Sequence, residues 1–357
     1  MTHRDTPPSV LVIGASYGLL PAAKIAAVGF RVTVVGVADE VGQITRDGVE
    51  IRFGAGRTLT PPMGANGLSA STPNAVTPEA HDLVILAVQE PQAGALAPLL
   101  DHLSATHPIV SIMNMPPPPF LERDPALQTL LRPDAYCSMG VWSSMQGCRM
   151  TMAAPDPQAY RPDPDRPGVL RVTLASNFKF APFEAASDQA LLGQVARAAS
   201  RVRAPWGKVP VNLITRKSLY TPLSKWPMLV TGNCRSVGPD RATPLSIHQA
   251  VNDNSGQSQV LYDGINAALR DLGAPSEALV PFARYAAAAQ QLVRPSSLAM
   301  ALARGATEVE RIDLLVSRLL QFANADSKVI DLMNGISDRI AAHLETNRNT
   351  AIPRLRP

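Results

Sequence analysis

The sequence is short of cysteine and aromatic residues, and each shortage removes a class of function. Three cysteines among 357 residues (Cys137, Cys148 and Cys234) are too few and too scattered for a disulfide framework or a zinc cage. Aromatics make up 5%, which is meagre for stacking nucleic-acid bases. The 33 Lys and Arg are dispersed among 29 Asp and Glu without a basic cluster, so the net charge of +4 implies no nucleic-acid partner. No apolar run reaches the roughly 18–20 residues of a membrane-spanning helix. Met1 to Ser9 is polar and holds two prolines, unlike the charged-then-apolar plan of a secretion signal. The expectation is a soluble, cytoplasmic protein without a membrane partner.

What is present suffices for two cores: 46% of residues are hydrophobic and 17% charged. The first half alternates strand and helix signals. Ser9–Ile13 and Arg31–Val35 are short runs rich in branched residues, as strands buried on both faces should be. Between them stand a glycine turn, Gly14-Ala-Ser-Tyr-Gly18, and a helical pattern over Leu19–Val28 with Pro21 early and Gly29 just past its end. This is a βαβ unit. Further strands are predicted at Leu83–Val88 and Ile109–Met113, with a helix over Gln92–Leu103 between them. Pro155–Pro167 reads as a proline-rich loop and Gly168–Leu174 as a strand returning to the sheet edge. From about Val209 to residue 346 helical periodicity dominates, broken near Gly238–Pro244, Gly273–Pro275 and Arg294–Ser296. The fold class is therefore α/β, a doubly wound N-terminal domain over residues 1–205 followed by an all-helical domain over 206–357.

Several positions could carry chemistry. A dinucleotide turn needs glycines so that backbone can approach a pyrophosphate at a helix N-terminus. Here Gly14 and Gly18 flank Ser16, so the strand–turn–helix context is met while the usual glycine spacing is broken. The end of the second strand, where an acid reads the ribose of NAD or a base that of NADP, carries Gly36-Val37. Asp39-Glu40 come a few residues late, with Asp39 either reaching a ribose or standing as a solvated loop acid. Asn114 closes the fourth strand, where open sheets bind ligands. Its amide can donate to a substrate oxygen, or it caps a turn before the prolines 116–119.

Thr307-Glu-Val-Glu310 fits a capping box. On a helical wheel Glu308 falls within the stripe Val309, Ile312, Leu315, Val316, Leu319 and Phe322, where a carboxylate is costly unless paired or used. The alternative is partial exposure in the helix's first turn, where the dipole favours an acid. Lys217 shares a wheel face with Leu213, Ile214 and Tyr220, and either snorkels or protonates a developing alkoxide. His102, His107 and His248 show no ligand spacing, the first two reading as solvated, and no metal site is expected.

These segments resemble the ketopantoate reductase family, within the group that includes 6-phosphogluconate dehydrogenase. Val10–Gly14 with Phe30–Val35 is similar to the family's opening βαβ unit, Asp47–Arg52 to its hairpin and Asp82–Gln89 to its cofactor-side strand. Pro295-Ser-Ser-Leu through Arg304-Gly-Ala-Thr-Glu308-Val-Glu-Arg-Ile312 resembles its C-terminal signature. The resemblance implies a Rossmann-like domain with a helical substrate and dimerisation domain. It also implies reduction of a 2-oxo acid or similar carbonyl with NADPH, or NADH as the alternative, and a homodimer. Asn114 corresponds to the substrate-hydroxyl asparagine, Ser296 to the substrate ligand and Glu308 to the acid of the catalytic site. Thr221-Pro-Leu223 resembles the family's Asn-Pro-Leu segment. That register puts Leu213 at the catalytic lysine and Lys217 one helical turn later. Val37 and Gln89 stand where the family binds the NADP phosphate, so Gly14, Ser16, Gly18 and Gln89 are the cofactor-side candidates. Two other readings remain: a C=N-reducing dehydrogenase of opine or imine type, and a non-catalytic nucleotide-binding module.

Overall fold

In the computed structural model, which describes residues 7–240 and 242–351, Val10–Ile13 forms strand β1 with all four residues buried. It pairs in parallel with Val32–Val35 (β2) on one side and Leu83–Leu86 (β4) on the other. Leu68–Ser71 (β3) extends the sheet beyond β2. Ile109–Ser111 (β5), Met150–Pro155 (β6), Phe178–Phe180 (β7) and Leu213–Thr215 (β8) extend it beyond β4, giving the order β8-β7-β6-β5-β4-β1-β2-β3. The six strands from β6 to β3 are parallel, and β7 reverses direction against β6 with β8 parallel to it. Contiguous apolar runs make such strands because parallel sheets are covered on both faces. The doubly wound α/β plan of the sequence is present.

Helix α1 (Leu19–Ala26) packs Leu19, Ala22, Ala23 and Ala26 into the core formed by Val10, Val12, Val32 and Val34. Full burial of each large aliphatic side chain there contributes about 1.5–3 kcal/mol. Lys24 of α1 is fully buried, and its Nζ donates to the carbonyls of Val209 (3.0 Å) and Pro210 (2.7 Å). Those bonds hold the chain just before Val211, a β-branched residue at φ 67°. Burial, with the nearby Lys208 charge, lowers the Lys24 ammonium to about 8.

Two expectations change here. Gly168–Leu174 does form a strand (Val169–Leu174), but not at the edge of the large sheet. It joins Glu50–Arg52, Thr58–Leu59 and Gln158–Tyr160 in a separate four-stranded sheet, so the proline-rich loop contains a strand. The predicted helix over Gln92–Leu103 is a tight turn of helix over Glu90–Leu96 followed by α3 (Ala97–Thr106), broken where Pro98 enters the first turn. Nearby, His102 pairs with Glu79 at 2.8 Å, whereas His107 is buried and lies 3.1 Å from the His81 carbonyl.

The chain divides into two units that alternate in sequence. One comprises the chain through Phe120 and Gly140–Pro222, the other Leu121–Met139 and the chain from Leu223. The last crossing lies beyond the boundary at residue 205 because β8 belongs to the sheet. It also removes 209–222 from the expected helical stretch.

After α4 (Ala186–Ala199) of the sheet unit, the second unit is helical and includes α5 (Ser255–Leu272), α6 (Ser297–Ala303), α7 (Ile312–Phe322) and α8 (Ser327–Ala351). Tyr262 of α5 packs on Phe282 and Tyr285 with ring centroids 5.5 and 5.6 Å apart. A wide helical turn over Leu229–Cys234 lets Tyr285 reach in: its hydroxyl donates to the Met228 carbonyl at 3.1 Å, and a Cβ on Gly232 would stand 2.0 Å from it. No helix among the described residues is long and apolar enough to cross a membrane.

Candidate functional site

In the sheet unit, the neighbours of β1 connect in opposite directions, β2 on one side and β4 on the other, which opens a crevice at the carboxyl ends of β1 and β4. Gly14 sits there with φ 117°, and a Cβ on it would stand 2.6 Å from the Ala87 carbonyl oxygen. A Cβ on Gly18 would stand 2.3 Å from the Gly14 carbonyl oxygen and 2.8 Å from Val12. Both glycines are thus required for the turn to close on itself. Ser16, in place of a middle glycine, is exposed. Tyr17 anchors the turn from the side, donating its hydroxyl to the Pro157 carbonyl at 2.8 Å. Burial, then the Asp156 carboxylate, holds that phenol well above its ordinary range.

The turn feeds α1, with Leu19 N–H bonded to Ser16 O and Leu20 N–H to Tyr17 O. The amides of Ala15, Ser16, Tyr17 and Gly18 have no acceptor among the described residues. Four successive donors at a helix N-terminus make a cradle for a phosphate or diphosphate. The residues present therefore fit the phosphates of a dinucleotide, despite the altered glycine spacing.

At the end of β2, Val37 and Asp39 are both exposed. The acid that reaches the crevice is instead Glu40, in the first turn of α2 (Ala38–Asp47), whose Oε2 would lie 3.0 Å from a Cβ on Gly36. Its partner is Arg161, which also donates to the Ala15 carbonyl at 2.5 Å. Sequence reading noted Glu40 beside Asp39 but gave the ribose to Asp39, and it passed over Arg161, which lies 121 residues from Glu40 in the proline-rich stretch with no local pattern to link them.

Gln89 follows β4. It is exposed, and its amide N–H and side chain form a capping box with Gln92. Behind it Glu90 is fully buried and accepts from the Trp142 indole at 2.9 Å. Asn114 follows β5, half-buried, and its amide has no partner among the described residues. Gly14, Ser16, Gly18, Gln89 and Asn114 thus share the carboxyl-terminal edge of three adjacent strands. Lys217 does not belong to that set by strand direction. Leu213–Thr215 is a strand and not a helix, so the wheel on which Lys217 faced inward does not exist. Lys217 is exposed, and β8 runs opposite to β5. A cavity of about 310 Å³ lies along β2 and β3, lined by Ser9, Arg31, Thr33, Ser69 and His81. There Thr33 Oγ1 contacts both Ser69 Oγ (3.3 Å) and His81 Nε2 (2.9 Å).

In the helical unit Ser296 is buried and caps α6: its Oγ accepts from Ala299 N–H at 3.0 Å and donates to the Asn233 carbonyl at 2.8 Å. Glu308 departs from expectation. Gly305, at φ 91°, follows α6, residues 306–311 are irregular, and α7 starts only at Ile312, so no capping box forms at Thr307 and Glu310. Glu308 is exposed, and the apolar stripe of α7 buries Ile312, Leu315, Val316 and Leu319 without it. The buried acid of this region is Asp313, with 0% of its side chain exposed. Arg311 Nε lies 2.9 and 3.2 Å from its two oxygens, and Nη2 lies 2.7 Å from Oδ2. Burial disfavours the Arg311 charge, but Asp313 outweighs it and holds the guanidinium above its ordinary value. Among the described residues no cluster of His, Cys, Asp or Glu could hold a metal ion.

No family model matches the sequence, and no curated protein is similar to it. Solved structures with the same fold do exist. A protein from Ralstonia solanacearum MolK2 assigned as a ketopantoate reductase is 16% identical with a TM-score of 0.70, over 96% of this chain and 99% of its own. D-mandelate dehydrogenase, solved with NADH and anilino(oxo)acetate, is 12% identical with a TM-score of 0.64, over 95% and 99%. A dimeric ketopantoate reductase from Staphylococcus aureus is 12% identical with a TM-score of 0.58, again over 95% and 99%. The chain therefore has the two-part fold of ketopantoate reductases along nearly its whole length.

Proposed function

We propose that this protein is a nicotinamide-dependent reductase that converts a 2-oxo acid, or a related carbonyl, to the hydroxy compound. The observation that carries the proposal is the row of four amides at Ala15–Gly18, without acceptors among the described residues, in the crevice beside β1 and β4. Fold likeness to oxidoreductases, one of them solved with NADH, supports the same reading.

A bound nicotinamide dinucleotide supplies a hydride. The chain's own part begins with the Ala15–Gly18 amides, which hold the phosphates. Gln89 lies on the cofactor side of the same edge. Asn114, at the end of β5, donates its amide to the substrate oxygen, which carries growing negative charge as the carbonyl is reduced. The proton that completes the alcohol comes from water, since Lys217 follows a strand that runs opposite to β5. The resemblance implies substrate-orienting roles for Ser296 and Glu308; the Ser296 hydroxyl is engaged as a helix cap, which leaves Glu308 to carry that role. The dimeric Staphylococcus aureus enzyme of the same fold supports a homodimer.

The test is oxidation of NADH and NADPH against a panel of 2-oxo acids, with the melting temperature measured alongside each cofactor. Turnover with at least one acid is expected. No turnover with any acid, and no cofactor-induced rise in melting temperature, would remove the proposal.

A further inference from the structure

We infer that the Glu40–Arg161 ion pair selects the dinucleotide, and that it selects NADH over NADPH. This rests on the reading of the crevice as a nicotinamide dinucleotide site. The position directly after β2 has no means to select, since Gly36 has no side chain and Val37, 64% exposed, has no polar atom beyond Cα. The polar groups arrive from elsewhere. Glu40 reaches back from the first turn of α2, and a Cβ on Gly36 would stand 3.0 Å from its Oε2 and 2.7 Å from the Ala15 Cβ. The glycine thus makes room for the carboxylate to lie against the turn.

Arg161 comes from just beyond the strand Gln158–Tyr160 of the smaller sheet. One of its terminal nitrogens pairs with Glu40 Oε1, and the other donates to Ala15 O at 2.5 Å. Its Nε is buried and has no partner among the described residues. The pair is only 20% and 26% exposed on the Arg and Glu sides, so its electrostatics are incompletely screened. Both terminal nitrogens of the one cation that the described contacts bring to this spot are thus already engaged.

The two cofactors differ only at the adenosine ribose. A ribose diol donates hydrogen bonds and suits Glu40 Oε2, which has no partner among the described residues. A 2′-phosphate offers only acceptors and negative charge, and it would face the same carboxylate while competing with it for Arg161. The resemblance in sequence implies NADPH, and the geometry at Gly36 points the other way.

The experiment is calorimetric titration of the full chain with NADH and with NADPH, repeated with ADP-ribose and its 2′-phosphate so that no chemistry is needed. Wild type is expected to bind the non-phosphorylated ligand of each pair at least tenfold more tightly. Glu40→Gln should cut that ratio to below threefold by strengthening the phosphorylated ligands. Arg161→Met should widen the ratio, because the carboxylate then meets the phosphate without a counter-ion. A merely structural pair would move both ligands together in both variants, and that result overturns the inference. A wild type that prefers the phosphorylated ligands, or does not discriminate, overturns it while leaving dinucleotide binding intact. Absence of binding by all four ligands overturns it together with the proposed function. Circular dichroism and melting curves of each variant exclude unfolding as the cause.

Discussion

The turn after β1 and the stretch from Ser296 to Asp313 are both rich in polar groups, yet they resolve them in opposite ways. In the turn, four amides have no acceptor among the described residues, and Asn114 on the same sheet edge likewise has no partner among them. In the helical stretch, the Ser296 hydroxyl both donates and accepts, and Asp313 is held by three short contacts from Arg311. A polar group already satisfied by its own chain stabilises the fold, whereas one left unsatisfied beside a crevice is available to a ligand. Residue type alone does not separate the two cases, since a serine, Ser16 or Ser296, was a candidate in each.

The largest expected effect lies on the satisfied side. Asp313→Ala leaves a buried guanidinium without its counter-charge and should lower stability by about 3–5 kcal/mol in urea unfolding. Dinucleotide affinity should be unchanged at temperatures where the variant is folded, and a selective loss of affinity would break the contrast.

Lys24 is the satisfied group of the sheet unit, and its effect depends on pH. Its folded value is about 8 against an ordinary 10.5, so between those values the unfolded chain binds more protons. Stability should therefore rise with pH from 8 to 10.5, by up to about 3 kcal/mol across the whole interval. Lys24→Met should remove that rise, and equal slopes for the two proteins between pH 7.5 and 9.5 would contradict the assignment.

Next come Asn114→Ala and Ser296→Ala, which test the comparison as a pair. The first should cost about 30-fold in kcat/KM with stability changed by less than about 0.5 kcal/mol. The second should cost about 1 kcal/mol of stability through the lost helix cap. Reversal of the two outcomes would invert the roles given to them. The smallest effect is expected from Lys217→Met, under about threefold in kcat, because β8 carries this residue away from the direction of β5. A loss near 100-fold would instead assign the proton to its ammonium.

The segment β1, turn, α1 and β2 was legible because it is local. Contiguous branched residues announce a buried parallel strand, and proline early with glycine late frames the helix. Legibility ended where the partner was distant. Val169–Leu174 shows strand character, but its neighbour Glu50–Arg52 lies far back in the sequence, and nothing in either run names the other. Glu308 shows a different limit. A wheel carries meaning only inside a helix, and the chain stays irregular through Arg311, so the stripe was right from Ile312 to Leu319, while Phe322 at the helix end is exposed and the acid before the helix was not on it. Asn114 was visible as a strand-end amide. Arg161 was not, being 146 residues from the carbonyl it contacts.

The segment Leu121–Met139 interrupts the sheet unit in sequence and belongs to the helical one. During synthesis the chain therefore delivers the first five strands of the large sheet, then a piece of the other unit, and only later β6, β7 and β8. Neither part can be cut out as a single stretch of polypeptide, and a gene fragment ending near residue 120 would hold the glycine turn while lacking Arg161 and three strands of its sheet. Recombination that exchanged either half alone would leave both incomplete, which ties the inheritance of the crevice beside β1 and β4 to that of the helices.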